Sequence, residues 1–313
     1  MSHHAALASV SKHPQYGIGT PEDTARLMDD TAKIIRRASH MGADILAFPE
    51  VYPQLATSGR IAFAEPEDGG TLLQIRELAA KHNLYIVWPR FEQYKDGLVY
   101  NSAVVVGRDG RVVGRYHKMF PTVDEMDAGV MPGRECPVLD TDIGRIAVVI
   151  CFDLNFMEVR AELRETRPDL VIFCSMYRGG IQCHEWAVDL GVPLLSAISG
   201  DGGRVVDAGG KLLRLSSDEA LIVQRVNLNS RQIHMDYNWE KLDAMVEHFG
   251  SQLTIEDYTQ ERVCVVGYEG SDRSIDDILR EYGLELKSDY FARSRWARKR
   301  KLMSLEPQTY VLE

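Results

Sequence analysis

The stretch GRIAVVICFDLNF, residues 144–156, runs an apolar, β-branched segment into Cys151 and sets an acid two positions later. Such a run, bounded by Gly144 and by polar residues, reads as a buried strand that delivers whatever follows it to a strand's carboxyl end. The local pattern leaves the role of Cys151 open. A buried structural cysteine is the common occupant of such a position, and DLVIFCSMY (169–177) places Cys174 in nearly the same setting.

Working outward, residues 20–42 read as a helix. Thr20 suits the N-cap, Pro21 the first helical position, and Leu27, Met28, Thr31, Ile34, Ile35, Ala38 and Met41 recur at helical spacing up to Gly42. DILAF (44–48) follows as a short strand that places Glu50 just beyond its end. A helix (71–82) and the runs LYIVW (84–88) and YNSAVVVG (100–107) come next. Asp109-Gly110 is a hairpin signal leading into RVVGRYHK (111–118). Beyond the cysteine, helices near 157–166 and 183–190 alternate with strands at 169–173 and 192–198. A second hairpin (204–215) and ALIVQRV (220–226) close the pattern. Helix–strand units mixed with antiparallel hairpins predict two sheets flanked by helices, with strand-end loops as the place for chemistry.

The chain has 313 residues and a formal charge of −10, which disfavours nucleic acid or an anionic membrane as partner. ARSRWARKRK (292–301) breaks that pattern and reads as a solvated tail or helix face. Five cysteines lack paired spacing, which fits a reducing cytoplasm; Cys183 and His184 have no further ligands at zinc spacing, so no metal site is expected. No run of about 18 apolar residues and no export signal is expected to take the chain to a membrane. After about residue 228 the periodicity weakens and charge rises. Residues 1–228 thus read as one domain and 229–313 as an extension packing on it or on a partner subunit.

Three strand-end residues make chemical sense together. A thiol with a pKa of about 8.5 needs a base or a cation beside it to act as a nucleophile. Glu50 could take the Cys151 proton and later return it to a leaving amine, and the Lys118 ammonium could hold an oxyanion. His117 competes with Lys118, but successive strand side chains face opposite ways, so only one of the pair can serve the site.

GADILAFPE, then YNSAVVVGRDGRVVGRYHKMFP, then PGRECPVLDTDIGRIAVVICFDLNFMEVR together resemble the nitrilase superfamily of carbon-nitrogen hydrolases, over roughly residues 20–228. The resemblance implies a four-layer αββα sandwich. It makes Glu50 the general base and acid, Lys118 the cationic stabiliser and Cys151 the nucleophile, with the Phe152 N–H sharing the oxyanion. It also implies a second glutamate past the lysine, for which Glu125 is the candidate and Asp124 and Asp127 are rivals. Asp153 and Glu158 would be structural, and Met176, Tyr177 and Arg178 would shape the substrate pocket. Arg178 could bind a substrate carboxylate or form a structural ion pair.

Departures from the family pattern bear on the substrate. The opening HHAALASVSKHPQYG is weak where relatives have a clear strand. Phe152-Asp153 replaces the Trp-Glu of nitrile-cleaving members, Asn155 stands where many amidases carry arginine, and 175–190 is short. The expected activity is therefore cysteine-dependent hydrolysis of small amides or N-carbamoyl compounds, without a cofactor, in a homodimer or higher homo-oligomer. Nitrile hydrolysis, acyl transfer by the same residues, or a non-catalytic scaffold are the alternatives.

Overall fold

The structure, a computed structural model, describes residues 4–217, 219–236, 238–258 and 263–304. His3, the end of the carboxyl-terminal segment beyond 304 and residues 259–262 within it lie outside the described residues.

The first half of the chain runs β1 (His4–Val10), α1 (Pro21–His40), β2 (Ile45–Ala47), β3 (Glu65–Pro66), α2 (Thr71–His82), β4 (Tyr85–Gln93), β5 (Val99–Val106) and β6 (Val112–His117). It continues with α3 (Val123–Asp127), β7 (Val138–Thr141), β8 (Gly144–Ile150), α4 (Met157–Thr166), β9 (Leu170–Ser175), α5 (Ile181–Leu190), β10 (Leu194–Ile198), β11 (Arg204–Val206), β12 (Leu212–Leu215) and β13 (Leu221–Asn227).

One mixed sheet has the order β13, β1, β2, β4, β5, β6, with β3 beside β4; the other runs β12, β11, β10, β9, β8, β7. Parallel pairs at the centre of each sheet are flanked by antiparallel hairpins, such as β5 with β6 (Ser102 opposite His117). Alternation explains the layering. Leu7, Ala47, Val87, Ala103 and Val105 pack inward with Val148, Ile150 and Phe173 of the second sheet. Their neighbours Ala8, Leu46, Ile86, Trp88, Val104 and Val106 face α1 and α2, meeting Leu27, Ile35, Leu72 and Ile75. Strands covered on both faces read as continuous apolar runs. Helices α4 and α5 cover the second sheet through Val159, Leu163, Cys183 and Trp186, which completes the αββα sandwich.

α1 begins as its sequence dictates: Thr20 is extended, its hydroxyl accepts from the Asp23 N–H at 3.1 Å, and Glu22 and Asp23 lie at the positive end of the helix. β1 departs from expectation. The weak opening sequence forms a strand between β13 and β2, with residues 5–10 buried. Its small alanines and Ser9 carry little β signal, and position in the sheet, rather than propensity, decides its state.

Beyond β13 come β14 (Ser230–His234), α6 (Trp239–Phe249), β15 (Leu253–Tyr258), β16 (Val263–Tyr268), α7 (Ile275–Glu281) and α8 (Lys287–Met303). The three strands form their own sheet in the order β14, β16, β15, over a separate apolar cluster that includes Ile233, Met245, Val266 and Ile278. Arg231 ties this unit to the body by bonding Asp169 at 3.0 Å while also holding Asp276 of α7 at 2.8 Å, and Lys287 donates to the Val188 carbonyl at 3.1 Å. α8, which carries the basic run, has no buried residue. Among the described residues no helix is long and apolar enough to cross a membrane.

Candidate active site

Glu50, Lys118 and Cys151 each follow a strand: β2, β6 and β8 respectively. Two backbone features fix the turns. Val51 and Cys151 have φ of 42° and 48°, a left-handed conformation that is costly for side chains with a β-carbon, and most of all for a β-branched one. Strain thus sits next to the glutamate and at the cysteine itself.

The carboxylates and the ammonium form one buried network. Lys118 Nζ donates to Glu50 Oε1 and to Glu125 Oε2, each at 2.7 Å. Asn101 Nδ2 bridges the same two acids, at 2.9 Å from Glu50 Oε1 and 2.9 Å from Glu125 Oε1. Glu50 is fully buried and Lys118 is 1% exposed. Burial works against the Lys118 charge, yet the attraction of Glu50 and Glu125 outweighs it and holds the ammonium above its ordinary pKa. Burial would raise Glu125 in turn, but Lys118, the Thr122 N–H and Asn101 keep its carboxyl low. Thr122 and Glu125 also form a reciprocal capping box that fixes α3. Asp124 and Asp127 are exposed on α3, so Glu125 is the acid that α3 turns toward Lys118. Glu50 Oε2 has no hydrogen-bond partner among the described residues.

Cys151 is partly buried, with Glu50, Lys118 and Ser175 around its sulfur. Burial first, and Glu50 second, push the thiol up to about 12 against the pull of Lys118 and Ser175. The resting group is therefore a thiol. Asp153 anchors the turn: Oδ2 accepts from Tyr116 Oη at 2.7 Å and the Ile150 N–H at 3.0 Å, and Oδ1 from the Phe120 N–H at 2.9 Å. Burial raises its carboxyl to about 6 even against those three donors. One side chain thus locks the loop after β8 to the loop after β6.

The rivals are packed or bonded otherwise, although the charge of Glu50 also reaches Cys174 and, after burial, raises its thiol. Cys174 is fully buried between β8 and β10. His117 turns to the opposite face of β6, bonding Tyr94 Oη at 3.1 Å and Ser102 Oγ at 2.8 Å. Cys183 is buried, His184 binds the Gly210 carbonyl, and no group of three metal-ligating side chains occurs among the described residues. Glu158 is exposed on the first turn of α4, where a negative charge suits the helix's amino end.

The rim of the site is aromatic and polar. Phe152 is exposed and meets Phe156 edge-on at 5.1 Å, while Phe156 stacks on Phe120 at 3.9 Å. Burial and the neighbouring Cys151 raise the Tyr177 hydroxyl, which donates to Gln182 at 3.3 Å. Gln182 in turn donates to Asn155 at 2.8 Å. Met176 is exposed and accepts from Arg60 at 3.1 Å, and Arg178 is paired on the surface with Asp201.

Sequence reasoning missed Asn101, Ser175 and Tyr116. Asn101 opens the apolar run SAVVV, but nothing there marks its amide for the site; its carbonyl accepts from the Lys118 N–H at 2.8 Å across β5 and β6.

Comparison with known proteins adds to this geometry. Residues 7–191 match the family described as carbon-nitrogen hydrolase. A β-ureidopropionase of Arabidopsis thaliana is 33% identical over 142 residues, covering 42% of this chain and 35% of that protein. An ω-amidase of Bos taurus is 26% identical over 150 residues, covering 45% and 54%. The chain thus matches about a third to a half of the length of these curated relatives. The crystal structure of an amidase from Nesterenkonia sp. superposes with a TM-score of 0.63 at 22% identity, covering 72% of this chain and 91% of that one. The family match over more than half of the chain means that this chain belongs to the carbon-nitrogen hydrolases, and its fold is the one that the amidase structure shares.

Proposed function

We propose that the chain hydrolyses the C–N bond of small linear amides or N-carbamoyl compounds through a thioester on Cys151. The observation that carries this reading is the buried Glu50–Lys118–Glu125 network beside a cysteine held in a left-handed turn. The β-ureidopropionase and ω-amidase names of two relatives agree with it, and a solved mutant of the Nesterenkonia amidase that carries the acetamide moiety of fluoroacetamide at its active-site cysteine shows a reactive cysteine in that protein.

The chemistry follows from the charges. With its thiol raised to about 12, Cys151 cannot attack as a preformed thiolate at neutral pH, so its proton must leave as the bond forms. Glu50 takes it through Oε2, the oxygen with no hydrogen-bond partner among the described residues. The carbonyl oxygen becomes an oxyanion held by the Lys118 ammonium and the Phe152 N–H. Glu50 hands the proton to the departing nitrogen, which leaves as ammonia or an amine. Water, deprotonated by Glu50, then attacks the thioester and frees the acid and the thiol. Glu125 and Asn101 keep Lys118 and Glu50 in register, and no step calls on a cofactor.

The test is ammonia release from a panel of short amides by the wild type and by Cys151→Ala. The reading expects release by the wild type and loss of at least a thousandfold in the variant. Equal rates would remove Cys151 from the chemistry.

A further inference from the structure

Arg60 opens the 3-10 turn Arg60–Phe63, in the segment that follows Glu50. It is the only partly buried arginine among the described residues with neither a carboxylate nor a carbonyl partner. Arg108, Arg115, Arg160, Arg164, Arg231 and Arg273 each face an acid, and Arg76 and Arg204 donate to carbonyls. Among the described residues the one polar contact of Arg60 is the Met176 thioether, at 3.1 Å from Nη1. A thioether is a weak acceptor and carries no charge.

In a chain of net charge −10, a guanidinium left without an acid is an unused anion site. Its place connects it to the chemistry. Met176 directly follows β9, whose Cys174 pairs with Ile150, the residue before Cys151, and the Ser175 side chain bonds the Cys151 thiol. Arg178, the arginine that the sequence offers for a carboxylate, is occupied by Asp201.

Charge at the centre supplies a second argument. Two carboxylates, Glu50 and Glu125, stand against the single ammonium of Lys118, so an anionic substrate meets net repulsion there. A cation at the rim offsets that repulsion and orients the acid group outward, with the amide toward Cys151.

We propose that Arg60 binds a free carboxylate on the substrate, so that the preferred substrates are short amides or N-carbamoyl compounds that also carry an acid group. This rests on the hydrolase reading above and names its substrate class. Guanidinium and carboxylate pair bidentately, and such a charged contact is worth on the order of tenfold to a hundredfold in affinity.

Two measurements on the full chain test it. The first compares kcat/KM for succinamate with that for pentanamide, a neutral amide of similar length. The wild type should favour succinamate by at least tenfold. Arg60→Gln should bring the ratio toward one through KM, and Arg60→Lys should restore part of it. The second measures, by mass spectrometry, how far succinate protects Cys151 from iodoacetamide. Protection should occur in the wild type, weaken in Arg60→Lys and vanish in Arg60→Gln. A wild-type ratio near one, a ratio unchanged in Arg60→Gln, or protection that is absent or independent of Arg60 overturns the proposal. Arg60-dependent protection without turnover of either amide keeps the subsite and sinks the hydrolase reading. Turnover of both amides with an Arg60-independent ratio does the reverse.

Discussion

At the scale of single residues, the site is a balance of charges around one sulfur. Glu50 holds the Cys151 thiol up and Lys118 draws it down, with burial adding to the upward push. Glu50→Gln should therefore lower the thiol's pKa from about 12 while reducing turnover by about 10²–10⁴, the usual scale of a lost general base. The sign is specific. The wild-type thiol stays protonated at neutral pH, so its alkylation accelerates as pH rises toward 12; in the variant that rise levels off at lower pH. Peptide mass spectrometry of Cys151 alkylation against pH checks both. A titration that stays in place or moves upward in Glu50→Gln would show that the carboxylate does not face the sulfur. Glu50, Lys118 and Cys151 are candidates in sequence because each ends a strand and because three separated motifs together resemble one family; singly, each has an ordinary structural reading. Asn101 is not, since its amide matters only through the two carboxylates that folding brings to it.

At the scale of elements, loops tied to one another hold the site together. The Gly133 N–H donates to the Lys118 carbonyl at 2.8 Å, and a β-carbon at position 133 would stand 2.1 Å from the His117 carbonyl oxygen. Gly133→Ala must push apart the two strands of chain that position Lys118. It should cost activity at least tenfold and stability about 1–3 kcal/mol, read from steady-state rates and urea unfolding. Wild-type rates in that variant would show that the loop after β6 tolerates the shift. Most elements are legible: α1 through Thr20, Pro21 and its apolar face, and the β5–β6 hairpin through Asp109-Gly110. β1 is faint because Ala5, Ala6, Ala8 and Ser9 fit a tight central position without announcing a strand. β7 escapes notice because VLDT has only two apolar residues, and its partner β8 supplies the pairing.

At the scale of the whole molecule, two sheets back to back bring the ends of β2, β6 and β8 to one place. The mixture of helix–strand units and hairpins predicts that architecture, because covered strands alternate between two cores. The carboxyl-terminal unit is harder to read. Its strand β15 is largely exposed, α8 buries nothing, and only VCVVGY in β16 has the density of a core strand. Its contacts with the body run through polar links such as Arg231 to Asp169, which leave no period in the sequence. All of this architecture serves one chemical claim, that an acyl group passes through Cys151. The direct measurement is to mix the protein with a slowly hydrolysed amide, quench in acid and locate the added mass by peptide mass spectrometry. An acyl adduct should accumulate on Cys151 and then decay with turnover. An adduct on Cys174 or Cys183, or product formed with no adduct and undiminished in Cys151→Ala, would contradict it.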